Sequence, residues 1–148
     1  MKSHKKQHVI GKSDRADFPI FNLKNIKVKV DTGAYTSSIH CSKIEEIEDK
    51  LHVIFLSETC SNYTGETIIF HDYEIKKVRS SSGKSQMRFK VKANIILFGE
   101  TFNTEFTLSD RSKMKFPVLL GRKLLNKHFL VNTSVKNQSY QITNTQND

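Results

Sequence analysis

Branched apolar residues and lysines alternate through Ile26-Lys27-Val28-Lys29-Val30, the pattern of a strand with one buried and one solvated face. The alternation returns at Met87, Phe89, Val91 and Ala93, set between Arg88, Lys90 and Lys92, and again at Phe102, Thr104, Phe106 and Leu108. Shorter β-branched or apolar runs predict strands at His8 to Gly11, Thr36 to Cys41, His52 to Leu56, Glu66 to Phe70, Asn94 to Phe98, Val118 to Leu120, Phe129 to Val131 and Tyr140 to Ile142. Ser13 to Pro19 reads as a turn, Ser57 to Gly65 as a loop and Ser109 to Ser112 as a second turn. Tyr73 to Ala93 forms a hairpin with its tip at Ser80-Ser81-Ser82-Gly83, and the next hairpin turns around Gly99-Glu100.

Helical spacing is rare. Ile44, Ile47 and Leu51 recur at three- and four-residue intervals behind Ser42, which predicts a short capped helix over 42–51. Leu124, Leu125 and His128 suit a second one. Many short strands with turns at close intervals predict an all-β barrel or sandwich with one or two short helices.

A chain of 148 residues is most simply one domain with its own core. Residues 1–8 are basic and aperiodic and are expected to form a disordered tail, residues 9–143 the domain, and residues 144–148 a frayed end. No apolar run reaches membrane-spanning length, and no apolar segment with a cleavage site follows the basic N-terminus. A cytoplasmic protein with no membrane partner is the expectation. Its two cysteines, Cys41 and Cys60, are then expected to be free thiols, although an oxidising compartment would allow them to pair. The net charge of +9 suits nucleic acid, an anionic surface, acidic peptides or simply a solvated face. Nucleic acid is the weaker reading, because the cations are scattered and neither tryptophan nor a Gly-aromatic RNA-binding pattern occurs.

The strand at Ile26 stops on a carboxylate. Asp31 is followed by Thr32, a hydroxyl donor and acceptor, and by Gly33, which permits a tight turn. A surface turn accounts for the same letters. Far downstream, Phe116-Pro117-Val118-Leu119-Leu120 is an apolar strand that ends at Gly121-Arg122. Together, Asp31-Thr32-Gly33-Ala34 and Leu119-Leu120-Gly121-Arg122 resemble the signature of the retropepsin-like aspartic peptidases. Thr36-Ser37, His40, Arg79-Ser80-Ser81 and Met114-Lys115-Phe116 extend the likeness to one bacterial branch, from about Ile10 to Ile142. Members of that branch carry the label ATP-dependent zinc protease and are linked to an ATP-grasp glutamate ligase.

The resemblance implies the acid protease fold, a closed β-barrel whose flap hairpin would carry Arg79, Ser80, Ser81, Ser82 and Gly83 against substrate. It implies that Asp31 is catalytic, supported by Thr32, Gly33, Ala34, Leu120, Gly121 and Arg122. Thr32 would bond across a subunit interface, and Arg122 would pair with a carboxylate. Hydrolysis by activated water uses two carboxylates that share a proton. Since no second Asp-Thr-Gly or Asp-Ser-Gly occurs, the chain is expected to work as a two-fold homodimer. Tyr35, Ser38 and Ile39 depart from the branch's pattern and bear on substrate preference only.

The zinc label fails against the letters: no His-Glu-x-x-His occurs, His40 and Cys41 are adjacent on a strand, and His4 and His8 sit in the tail. No Gly-rich phosphate loop is present. No metal or cofactor is therefore expected. Between Ile75 and Ala93 stand seven Lys or Arg and no Asp or Glu, which would favour an acidic peptide or protein substrate. The alternative reading is a non-catalytic peptide-binding barrel that serves as partner of the ligase.

Overall fold

The alternation at Ile26 becomes strand β3 (Leu23–Val30), with Leu23, Ile26 and Val28 buried and Lys27 and Lys29 exposed. The computed structural model describes residues 7–79, 83–110 and 113–145, so Ser80, Ser81 and Ser82 of the expected flap tip lie outside the described residues. The remaining strands are β1 (His8–Ile10), β2 (Ser13–Phe18), β4 (Ser37–Ile47), β5 (Lys50–Phe55), β6 (Thr67–Phe70), β7 (Glu74–Arg79), β8 (Ser85–Leu97), β9 (Glu100–Ser109), β10 (Val118–Leu120) and β11 (Phe129–Val131). Two short helices, α1 (Arg122–Leu125) and α2 (Gln138–Thr145), complete the described chain.

Six strands close a barrel in the order β10, β3, β2, β8, β9, β4 and back to β10. β5 and β6 extend the sheet beyond β4, while β7 pairs with the part of β8 that leaves the ring. β1 and β11 form a separate parallel pair. Aromatic side chains fill one region of the core: Phe21 stacks on Phe55 at 4.0 Å between centroids, and Phe70 and Phe106 meet Phe21 edge-on. Such ring pairs add about 0.5–1.5 kcal/mol each beyond the area they bury.

Three segments differ from what their local pattern predicts. Ser13 to Phe18 is a strand, not a turn, with Asp14, Ala16 and Phe18 facing inward. A carboxylate in the inward register hid the alternation, and its partners lie far along the chain. Asp14 accepts N–H groups from Arg15 at 2.8 Å, Ser139 at 2.8 Å and Tyr140 at 3.1 Å. The expected helix over 42–51 is instead a hairpin. β4 runs on to Ile47, and Glu48 and Asp49, both at positive φ (50° and 61°), make the two-residue turn into β5, a conformation that suits strand twist. Leu51, Val53 and Phe55 are buried there, so tertiary burial outweighs a marginal helical spacing. Tyr140 to Ile142 lies within α2 rather than a strand, because Asp14 satisfies the first N–H groups of that helix from outside it. His128 falls beyond α1, against the ring of Phe102.

The strand expected to end at Ala93 and the one expected over Asn94 to Phe98 are one strand of thirteen residues, β8, because β7 and β9 pair with its two halves in turn. Phe98 and Gly99, at φ 55° and 72°, turn it into β9.

Candidate active site

The barrel closes where β10 lies between β3 and β4. Leu120 sits opposite Val30 in the parallel ladder, and Leu119 sits opposite Ser38 in the antiparallel one. The N–H of Asp31 continues the first ladder by donating to the Leu120 carbonyl at 2.9 Å. The chain then turns. The Ala34 N–H donates to the Asp31 carbonyl at 3.2 Å, and the Gly33 N–H donates to Asp31 Oδ1 at 3.1 Å. A Cβ on Gly33 would lie 3.3 Å from that oxygen, so glycine keeps the surroundings of the carboxylate open.

The second half of the motif locks onto the first. The N–H groups of Arg122 and Lys123 donate to the carbonyls of Ala34 and Tyr35 at 2.8 and 2.9 Å. The Gly121 N–H donates to the buried Ser37 Oγ at 3.0 Å. At Gly121 a Cβ would stand 2.6 Å from the Tyr35 carbonyl oxygen and 2.9 Å from the Thr36 carbonyl carbon. Only glycine admits that crossing. Arg122 was expected to meet a carboxylate, but among the described residues its guanidinium instead donates to the Thr32 carbonyl at 2.9 Å and lies 5.8 Å from the centre of the Tyr35 ring. A guanidinium suits both a carbonyl and an aromatic face. Asp31 is half-buried and Thr32 exposed.

Beside this turn opens a cleft of about 550 Å³, lined by Ala34, Thr36, Ser38 and Thr107 on the barrel and by Lys76, Lys77, Arg88 and Lys90 on the β7–β8 hairpin. Lys90 bonds Glu105 at 2.9 Å and Glu74 at 3.1 Å, while Lys123 reaches the same Glu105 at 3.0 Å. These bonds raise Lys90 above the ordinary lysine value, Glu105 contributing most, and Lys90 in turn holds Glu105 below the usual carboxylate value. A charged chain thus runs from α1 to the base of the hairpin.

The expected catalytic and supporting residues Asp31, Thr32, Gly33, Ala34, Leu120, Gly121 and Arg122 come together in this one place. Of the expected flap residues, Arg79 is opposite Ser85 in the β7–β8 ladder and Gly83 has open space around its Cα. Of the hairpin cations that line the cleft, Lys90 stands at the base of the ladder and Lys76, Lys77 and Arg88 in its middle. Sequence reasoning named Ser37 within the family likeness but gave it no role in the site. A serine six residues beyond Asp31 carries no local signal, since its partner N–H is 84 residues away. Among the described residues no group of three or more His, Cys, Asp or Glu could hold a metal ion, and no helix is long and apolar enough to cross a membrane.

A closed barrel with an Asp-Thr-Gly turn braced by Leu-Gly-Arg defines an acid-protease-like fold. The chain belongs to the RimB-like family, described as retropepsin-like aspartic endopeptidase RimB, whose model matches residues 9–141. A Shewanella pealeana protein named "Probable alpha-L-glutamate ligase" is 31% identical over 131 residues, covering 85% of this chain and 28% of that protein. A Desulfotalea psychrophila protein of the same name is 27% identical over 136 residues, with 86% and 28% covered. The chain therefore spans under a third of the length of these curated relatives. A Legionella pneumophila protein of unknown function, known from its crystal structure, shares the fold. It has a TM-score of 0.69 at 24% identity, with 90% of this chain and 99% of that one covered.

Proposed function

We propose that this chain is an aspartic endopeptidase that works as a homodimer, with Asp31 of each copy forming the catalytic pair. The observation that carries the reading is the setting of Asp31: where the barrel closes, on a turn held by backbone N–H groups, beside a cleft of about 550 Å³. In such a pair one carboxylate stays protonated and polarises the peptide carbonyl, while the other takes a proton from the attacking water. Two like charges that close cannot both ionise at low cost, which divides the roles. One chain supplies one such acid, so a two-fold axis beside Thr32 completes the site. In this reading Thr32, Gly33 and Ala34 shape the turn, and Leu120, Gly121 and Arg122 brace it from beneath.

The cleft supports a substrate rich in carboxylates. Lys76, Lys77 and Arg88 line it, and cations focused in a cleft raise the local concentration of acidic chains. The decisive experiment measures cleavage of glutamate-rich peptides by the parent and by Asp31→Asn, with the size of each in solution. Loss of cleavage in a variant that stays folded and dimeric supports the reading, and undiminished cleavage ends it.

A second reading is favoured by the relatives, in which a region like this chain forms part of proteins named as glutamate ligases. A barrel of that kind would bind an acidic chain for a ligase without cutting it. Retained peptide affinity with no hydrolysis, and no inhibition by a statine-type mimic, would select this reading.

A further inference from the structure

Two residues along β4 from Ser38 of the cleft, the side chains of Thr59, Cys60 and Asp110 gather around His40 and Ser57. His40 is 2% exposed, and its backbone is held on both sides: its N–H donates to the Pro117 carbonyl at 2.8 Å, and its carbonyl accepts the Leu56 N–H at 2.9 Å. Its Nε2 lies 3.1 Å from Ser57 Oγ, and its Nδ1 lies 3.6 Å from Asp110 Oδ1. Ser57 Oγ is also 3.2 Å from Thr59 Oγ1 and 3.7 Å from Cys60 Sγ. Leu56, fully buried, adopts φ 66°, a left-handed conformation unusual for leucine, and that reversal aims Ser57 back at His40. A cavity of about 140 Å³ opens against His40, Thr59 and Cys60, with Lys27, Met114 and Lys115 on its walls. Ile26, another wall residue, precedes Asp31 by five positions, roughly 16 Å at the rise of a strand.

We infer that Ser57, His40 and Asp110 form a second hydrolytic site, which cleaves short acyl esters carrying a carboxylate. The three stand as nucleophile, base and orienting carboxylate. With the Nδ1–H toward Asp110, Nε2 accepts the Ser57 proton as Oγ attacks the ester carbonyl carbon. The bond to the alcohol oxygen then breaks, and His40 returns the proton to that leaving oxygen. Water next attacks the acyl carbon, gives a proton to His40 and releases the acid, and Ser57 takes that proton back. The sum is ester plus water giving acid plus alcohol, with no oxidant or metal required. Ser57 touches this cavity through His40, Thr59 and Cys60, which line it; the small volume limits the acyl group, and Lys27 and Lys115 on the walls favour a carboxylate. Asp110 is a positioning residue, 77% exposed, so its loss leaves the fold in place.

The test treats the full chain with a fluorophosphonate probe in the presence of a statine-type inhibitor, which separates this site from Asp31. Peptide mapping should find the label on Ser57. Labelling should vanish in Ser57→Ala and His40→Gln and slow at least tenfold in Asp110→Ala, whose unfolding curve should match the parent. Turnover of p-nitrophenyl hemisuccinate should exceed that of p-nitrophenyl acetate, and the double change Lys27→Gln with Lys115→Gln should remove the preference. No label on Ser57, a label equal in Asp110→Ala, or turnover that survives Ser57→Ala would overturn the site and leave His40 a structural clamp between two loops.

Discussion

The turn at Asp31 and the hairpin of β7 and β8 face each other across one cleft, yet they are held by different forces. The turn is fixed by backbone: the N–H groups of Asp31, Gly33, Ala34, Arg122 and Lys123 all find partners within 3.2 Å, and Gly121 sits where a methyl group cannot. The hairpin meets the cleft with long cationic side chains, of which Lys90 is tied to Glu74 and Glu105. Backbone bonds and close packing hold a reacting group to within fractions of an ångström. Charges on flexible stems attract without fixing geometry, and salt weakens them. On the proposed function, catalysis should therefore be brittle to change at the turn, and recognition gradual to change at the hairpin.

The largest effect is expected at the carboxylate itself. Asp31→Asn keeps the size and the hydrogen-bonding oxygen but cannot share a proton, so kcat should fall about a thousandfold or more while the unfolding midpoint stays put. Next comes Gly121→Ala, whose added carbon would meet the backbone of Tyr35 and Thr36. A loss of about 2–3 kcal/mol in urea unfolding is expected, together with activity, and a variant as stable as the parent would show that the turn is softer than its bonding suggests.

Changes on the hairpin should be milder and of another kind. Lys76, Lys77 and Arg88 replaced together by glutamine should raise KM for glutamate-rich peptides about tenfold. The kcat and the cleavage of neutral peptides should hold. A drop in kcat instead would place these cations in the chemistry and erase the contrast.

The smallest effect concerns Glu105, whose carboxyl is held low chiefly by Lys90. A depressed carboxylate stabilises the fold at pH values above its unfolded range, and that contribution is lost as pH falls through the folded value. Urea unfolding should separate the parent from Glu105→Gln by about 1 kcal/mol near neutrality. The gap should close in acid, and a gap that widened there would contradict the ion pairs.

Local pattern made β3, β9 and β10 legible, because their alternating residues face one core, while it divided β8 at Ala93 where the strand runs on to Leu97. It failed wherever a distant partner set the local state. Asp14 faces inward because N–H groups of α2, more than a hundred residues on, await it. Burial outweighs those bonds and raises its carboxyl above the ordinary value, so no local rule would place it there. Ile44 and Ile47 kept helical spacing, while β5 supplied the ladder that made their segment a strand.

By itself the sequence determined the two halves of a motif, Asp31-Thr32-Gly33-Ala34 and Leu120-Gly121-Arg122, and an all-β chain to carry them. Residue type and period are local properties, legible without coordinates. Only the tertiary structure decided that Gly121 passes under Tyr35, that Ser37 receives its N–H, and that Lys76 and Arg88 line the cleft. Those contacts join residues tens of positions apart, and closure of the barrel, not the order of the letters, brings them within bonding distance.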